Sequence, residues 1–225
     1  MKFLAIADAH GVYSHIAQLL FKAGDVDAVC VIGDITDYRD ITDYGPNAKV
    51  QELLSIIGED VPTLMIPGNC DLPTIVETIE ESSAVNLHLK SFDYDDIKFL
   101  GIGGSNPTPF NTPFEFSETE LLSYATRLLN DVGDTTVLLS HTPPKGFLDA
   151  VDSKHVGSDE HVGSEAIRRA VGVVDVLACG HIHEQRGVLV AGKTTIVNPG
   201  MAARGFGAVI EIMPGESANV TLIRS

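Results

Sequence analysis

An α/β fold, parallel in its first half and with a mixed or second sheet in its second, is predicted by three features of the sequence. Short apolar runs recur along the chain, flanked by turn-forming residues. Segments of helical periodicity alternate with those runs through the first half, an order that predicts parallel pairing. Toward the C-terminus the runs shorten and succeed one another without helices, which predicts hairpins.

Residues 2–7 (KFLAIA) are apolar throughout and read as a buried strand. Residues 14–23 read as a helix, and 26–32 (VDAVCVI) as a second buried strand. Residues 47–58 are helical in pattern, with Gly58 near the stop. A third strand at 61–66 (VPTLMI) precedes a short helix at 72–81. Residues 91–103 (SFDYDDIKFLGIG) form a hairpin pattern. Residues 117–130 open with a capping box, Ser117 to Glu120, and continue as a helix. A strand at 135–140, a helix at 164–171 and a strand at 174–179 come next. GVLVAGKTTIVN and GFGAVIEIM close the chain as hairpin pieces.

At 225 residues the chain suits a single domain, 1–225, with a sizeable core. Hydrophobic residues at 44% and charged residues at 20% place it among soluble globular proteins. No apolar run is long enough to span a membrane, so none is expected as a partner. The N-terminus has a short apolar run broken at Asp8, which reads as a first strand rather than a signal peptide. Cys30, Cys70 and Cys179 are far apart and odd in number. A disulfide framework is not expected, and a reducing cytoplasm is the expected setting. The net charge of −16 argues against an extended nucleic-acid partner. Small anionic substrates stay open, because metal ions can supply local positive charge. Oligomeric state is left open.

The residues just past the strand ends carry the chemistry. The first strand ends in Asp8-Ala9-His10, the second in Gly33-Asp34-Ile35-Thr36-Asp37, and the third in Pro67-Gly68-Asn69-Cys70-Asp71. The strand at 135–140 ends in His141-Thr142-Pro143-Pro144, and the one at 174–179 in Gly180-His181-Ile182-His183. Loops beyond the carboxyl ends of the strands form the binding crevice of α/β sheets. There Asp8, His10, Asp34, Asn69, His141, His181 and His183 would converge. Carboxylate, amide and imidazole ligands suit Mn, Fe, Ni or Zn. Seven are too many for one tetrahedral zinc and fit two divalent ions about 3.5–4 Å apart that share a carboxylate.

D-x-H, G-D-x-x-D, G-N-x-D, an isolated His and G-H-x-H, in that order across residues 8 to 183, resemble the calcineurin-like metallophosphoesterase superfamily. The short length, Asn198-Pro199-Gly200 and the Cys of Gly68-Asn69-Cys70-Asp71 resemble its small phosphodiesterase-like branch. The resemblance implies a four-layer αββα sandwich of two mixed sheets flanked by helices. It implies that Asp8, His10 and His183 hold one ion, that Asn69, His141 and His181 hold the other, and that Asp34 bridges. On an extended segment residues i and i+2 share a side, so His181 and His183 can each reach a different ion.

The expected reaction is phosphoester hydrolysis by a hydroxide shared between the ions. Asp34, Asn69, Cys70, Asp71 and Asp37 are the candidate catalytic residues, with the Asp37 and Asp71 carboxylates orienting ligands or a site water. Arg204 and Asn69 are candidates for holding a substrate phosphate. Many family members have His at the position of Cys70, where it assists the leaving group. A thiol with an ordinary pKa of about 8.5 is a weak proton donor at neutral pH. Phosphodiesters are therefore expected to be favoured over monoesters; Cys70 also reads as an inert filler. The alternatives are a phosphomonoesterase or protein phosphatase, a nuclease, and a noncatalytic scaffold like the retromer-associated relative.

The remaining histidines carry less. His15 reads as packed in a helix or facing solvent, and His88 as part of an ordinary turn. His155 and His161 lie in a polar loop, 152–163, that reads as solvated. Residues 105–116 (SNPTPFNTPFEF) read as a semi-rigid loop that covers core, forms a lid or meets a partner.

Overall fold

The computed structural model describes residues 1–39, 45–151 and 160–225. Its first strand, β1 (Lys2–Ile6), is buried from Phe3 to Ile6. Phe3 and Ala5 point into one apolar cluster, Leu4 and Ile6 into another. Side chains alternate along a strand, so one apolar on both faces must be covered on both. Helices α1 (Ile16–Ala23), α2 (Gly45–Ile57) and α3 (Ile75–Glu80) stand between the strands that come after it. They supply Ile16, Leu19, Leu53, Ile75 and Ile79 to the Leu4 and Ile6 side.

β1 pairs in parallel with β2 (Ala28–Ile32), β2 with β3 (Thr63–Ile66), and β3 with β4 (Val85–Asn86). The chain then crosses to a second sheet. A hairpin of β5 (Ser91–Tyr94) and β6 (Ile97–Ile102) leads through α4 (Glu118–Leu129) to β7 (Thr136–Ser140). A small hairpin, β8 (Ala150–Val151) with β9 (Glu160–His161), and helix α5 (Glu165–Arg168) precede β10 (Val176–Cys179). β11 (Gly187–Ala191) and β12 (Thr194–Asn198) complete that sheet; β13 (Phe206–Glu211) and β14 (Asn219–Arg224) return to the first. The two six-stranded sheets have the orders β14-β13-β1-β2-β3-β4 and β11-β12-β10-β7-β6-β5. Both are mixed and parallel at the centre: the first has its antiparallel strands, β13 and β14, on one side, and the second has one at each edge, β11 and β5.

The sheets pack face to face. Phe3, Cys30 and Leu64 meet Phe99, Val137 and Val176 in one core, with Phe3 and Phe99 edge to face at 5.7 Å between ring centroids. The outer face of the second sheet buries Leu100, Leu138 and Leu177 under Leu121, Ala125 and Leu128 of α4 and Ile167 of α5. The result is the expected four-layer αββα sandwich. No helix among the described residues is long and apolar enough to cross a membrane.

The capping box of α4 is present, Ser117 accepting from the Glu120 N–H and Glu120 accepting from the Ser117 N–H. Other boundaries differ. The helix expected at 164–171 is α-helical only over Glu165–Arg168. Beyond it the winding tightens to i→i+3 bonds, Ala170 N–H to Ile167 O and Val171 N–H to Arg168 O, until Gly172 turns the chain at φ 86°. β4, β8 and β9 are two residues each, too short to leave a periodic trace.

Candidate metal centre

The two sheets meet at the carboxyl ends of their central strands. The Asp8 N–H bonds Gly33 O at 3.1 Å, joining the loops after β1 and β2. The Gly180 N–H bonds His141 O at 3.0 Å, joining the loops after β10 and β7. Across the sheets, the His181 N–H reaches the Asp8 carboxylate at 3.2 Å, and His141 Nδ1 lies 2.9 Å from Ile32 O. Asp8, His10, Asp34 and His181 all occupy left-handed backbone, at φ 56°, 45°, 47° and 67°. That conformation is costly for non-glycine residues and concentrates at functional sites. Gly68 is required by closeness: a β-carbon there would overlap the backbone nitrogen and Oδ1 of Asp34.

All seven expected ligands are brought together. Asp8, His10 and His183 present ligand atoms within 4.8 Å of one another, as do Asp8, Asp34 and His141. His10 Nε2 faces His183 Nε2 at 3.4 Å, and His183 Nε2 is 3.4 Å from Asp8 Oδ1. The two Asp34 oxygens face opposite ways: Oδ2 is 3.5 Å from His10 Nε2, Oδ1 3.4 Å from His141 Nε2. Asn69 Oδ1 lies 3.0 Å from His141 Nε2, and the His181 ring stands edge-on to His141 at 5.2 Å.

This donor set fits a cation. With the His141 Nδ1–H donated to Ile32 O, its Nε2 lone pair faces the oxygens of Asn69 and Asp34. Three acceptors that close repel one another unless a proton or a metal ion lies among them.

A family model described as calcineurin-like phosphoesterase matches residues 1–185. The chain belongs to that family. An uncharacterized protein of Methanocaldococcus jannaschii is 36% identical over 206 residues, 88% of each chain. Among solved structures, a Thermus thermophilus protein superposes with a TM-score of 0.70 at 17% identity, covering 99% of this chain and 98% of that one. A dimetal phosphatase from Danio rerio gives a TM-score of 0.64 at 13% identity over 98% of both chains. At these identities the structural likenesses establish the fold.

Charges in this phosphoesterase centre are strongly interdependent. Burial pushes Asp34 up, but His141 and then His10 outweigh it and hold the carboxyl well below the usual range. Burial pushes His141 down, but Asp34 dominates and raises it to about 9. Burial, with His141 beside it, takes His181 down to about 4. Burial opposes and Asp8 favours protonation of His183, with a net rise. Burial and Asp34 push the Cys70 thiol up, keeping it neutral. Its sulfur comes within the same 4.8 Å grouping as His10 and Asp34, a proximity that the spacing of these residues along the chain does not reveal.

The supporting residues divide. Asp37 Oδ2 is 3.5 Å from His10 Nδ1, a buried nitrogen without a hydrogen-bond partner. Arg39, which no motif in the sequence singles out, grips Asp37 through Nε at 2.8 Å and through its NH2 group. The fully buried Asp71 carboxylate accepts from the N–H groups of Ile35, Thr36 and Gly68 and from the Thr36 hydroxyl. It staples the loops after β2 and β3 together rather than touching a ligand side chain. Burial and Asp34 raise its pKa to about 6. Asn198 donates to Ile182 O at 2.9 Å, so Asn198-Pro199-Gly200 braces the Gly180–His183 loop. Arg204 is exposed on the turn Ala202–Arg204, whose Ala203 N–H bonds Asp8 O at 3.3 Å.

Loop 105–116 is closer to the centre than its composition indicated. The Asn69 amide nitrogen donates to Thr112 Oγ1 at 2.8 Å, and the Phe114 N–H bonds Asn69 O. Phe114 and Phe116 pack on His88, while Phe110 is 77% exposed. His88 is thus more than a turn residue: it is buried, and its Nδ1 accepts from the Gly103 N–H at 3.0 Å. His15 bonds Ser225, and His161 bonds the buried Asp149 at 2.6 Å. His155 and most of loop 152–163 lie outside the described residues.

Proposed function

We propose that this chain is a dinuclear metal-dependent phosphoesterase that prefers phosphodiesters to monoesters. The observation that carries the reading is Asp34, whose two oxygens face the His10 group and the His141 group separately. Asp8, His10 and His183 would hold one ion and Asn69, His141 and His181 the other, with Asp34 shared. The ligand set suits Mn, Fe, Ni and Zn. Bound divalent ions supply a water acidic enough to attack phosphorus and neutralise charge on the phosphoryl oxygens.

The chain's own residues do the rest. Asp37, held by Arg39, orients the His10 ring. Arg204 stands beside the β1 loop as a bidentate donor for a substrate phosphate. Cys70, neutral in its buried place, gives a leaving oxygen little help with its proton. That favours esters whose alcohol leaves without full protonation. The charge of −16 favours a small phosphorylated substrate over extended nucleic acid. Three unpaired cysteines support a reducing, cytoplasmic setting.

The test is turnover of bis(p-nitrophenyl) phosphate and p-nitrophenyl phosphate by metal-stripped protein with each metal restored. The diester is expected to be the better substrate, and Asp34→Asn to abolish both activities. Equal or better turnover of the monoester would overturn the diester preference. Absence of both activities with every metal would point to a scaffold.

A further inference from the structure

We infer that Glu115 and Thr112 form a proton-ordered clamp that fixes which end of the Asn69 amide faces the metal centre. Thr112 is thereby a positioning residue for one of the two ions; the inference rests on the dinuclear reading above.

The order of protons is set by what each group can do. The Glu115 carboxylate, as an anion, can only accept. It takes hydrogen bonds from the Thr108 N–H and hydroxyl, at 3.1 and 2.6 Å, and from the Thr112 N–H at 2.8 Å. It also takes the Thr112 hydroxyl proton in a short contact. A hydroxyl has one proton, so Thr112 Oγ1 is left with lone pairs alone toward Asn69. The Asn69 group 2.8 Å away must then be the NH2 end. Its other contact, the Cys70 sulfur at 3.7 Å, is a weak acceptor and agrees with that orientation. The carbonyl oxygen is thereby turned to His141 Nε2, 3.0 Å away, where it can serve as a ligand. The reversed amide would aim N–H groups at the same place and repel a cation.

The clamp is held firmly enough to impose this choice. The Phe114 N–H bonds Asn69 O at 3.2 Å, the Ser105 N–H bonds Phe114 O, and the Phe116 N–H bonds Ser105 O. The Phe114 ring packs on buried His88 at 5.3 Å. The loop that carries Thr112 is therefore tied to Asn69 twice, through the Phe114 backbone and the Thr112 side chain. The two ends of an amide differ in what they can donate and accept, and this network of donors and acceptors leaves one orientation.

The experiment is calorimetric titration of the metal-stripped full chain with Mn²⁺ alone, alongside thermal unfolding of the stripped protein. Wild type is expected to show two binding events. Thr112→Val, nearly isosteric but unable to accept, is expected to weaken one event about 10- to 100-fold and spare the other. Thr112→Ser should restore both. Glu115→Gln, which places an N–H donor against the Thr108 N–H, should weaken the same event. Unchanged affinities in Thr112→Val, or a loss that serine does not rescue, would overturn the clamp while leaving the dinuclear reading standing. Wild type that takes up no Mn²⁺ would overturn the reading of the centre and the clamp with it.

Discussion

At Asp71, four donors converge on one buried carboxylate, and the consequence is structural. Asp71→Ala would strand the Ile35, Thr36 and Gly68 N–H groups and the Thr36 hydroxyl. A loss of about 4 kcal/mol or more is expected, since each of the four buried donors left unpaired costs about 1–3 kcal/mol; urea unfolding measures it. His141 makes a prediction of a different kind. Its pKa of about 9 leaves His141 protonated at neutral pH in metal-free protein, at a nitrogen that the proposed centre would need as a ligand. Metal uptake should therefore release a proton below about pH 9 and none well above it, and affinity should rise with pH over that range. Titration in buffers of differing ionisation enthalpy reads the proton directly. The candidate ligands themselves were legible, because Asp8, Asp34, Asn69, His141 and the His181–His183 pair each lie just past a strand end. Arg39, Thr112 and Glu115 were not. Arg39 acts through Asp37, and Thr112 lies 43 positions from Asn69 with only a hydrogen bond joining them.

The central strands were legible for a physical reason: buried on both faces, they read as unbroken apolar runs bounded by turns. β1, β2, β3, β7 and β10 all have that form. The two-residue strands and the tight end of α5 leave no such mark. Among the loops, the one after β3 depends on Gly68. Gly68→Ala would drive a methyl group into the Asp34 backbone and carboxylate. Stability should fall by about 2–3 kcal/mol, and metal uptake should fall with it; unfolding and metal analysis of the same preparation test both. Loop 105–116 is tied down by His88, whose pKa burial depresses to about 4. An unfolded histidine titrates near about 6.5. As pH falls through that value the unfolded chain takes up a proton that the fold excludes, so stability drops until about pH 4. His88→Phe should flatten that part of the acid limb in pH-dependent urea unfolding, at the cost of the Gly103 bond.

At the scale of the whole molecule, two sheets with apolar inner faces pack together and carry the loops of their parallel strands to a common edge. That the first half is parallel and the second mixed could be read from element order. The strand order could not, since β10 lies between β12 and β7 and no local pattern encodes a crossover. The sandwich itself was expected only through the family resemblance. Its consequence is that five loops distant in sequence bring seven candidate metal ligands to one place. The most direct test is anomalous diffraction from crystals of the protein loaded with manganese. Two peaks about 3.5–4 Å apart, with Asp34 between them and Asn69 Oδ1 facing one, are expected. A single peak, or none among Asp8, Asp34, His141 and His183, would contradict the dinuclear centre.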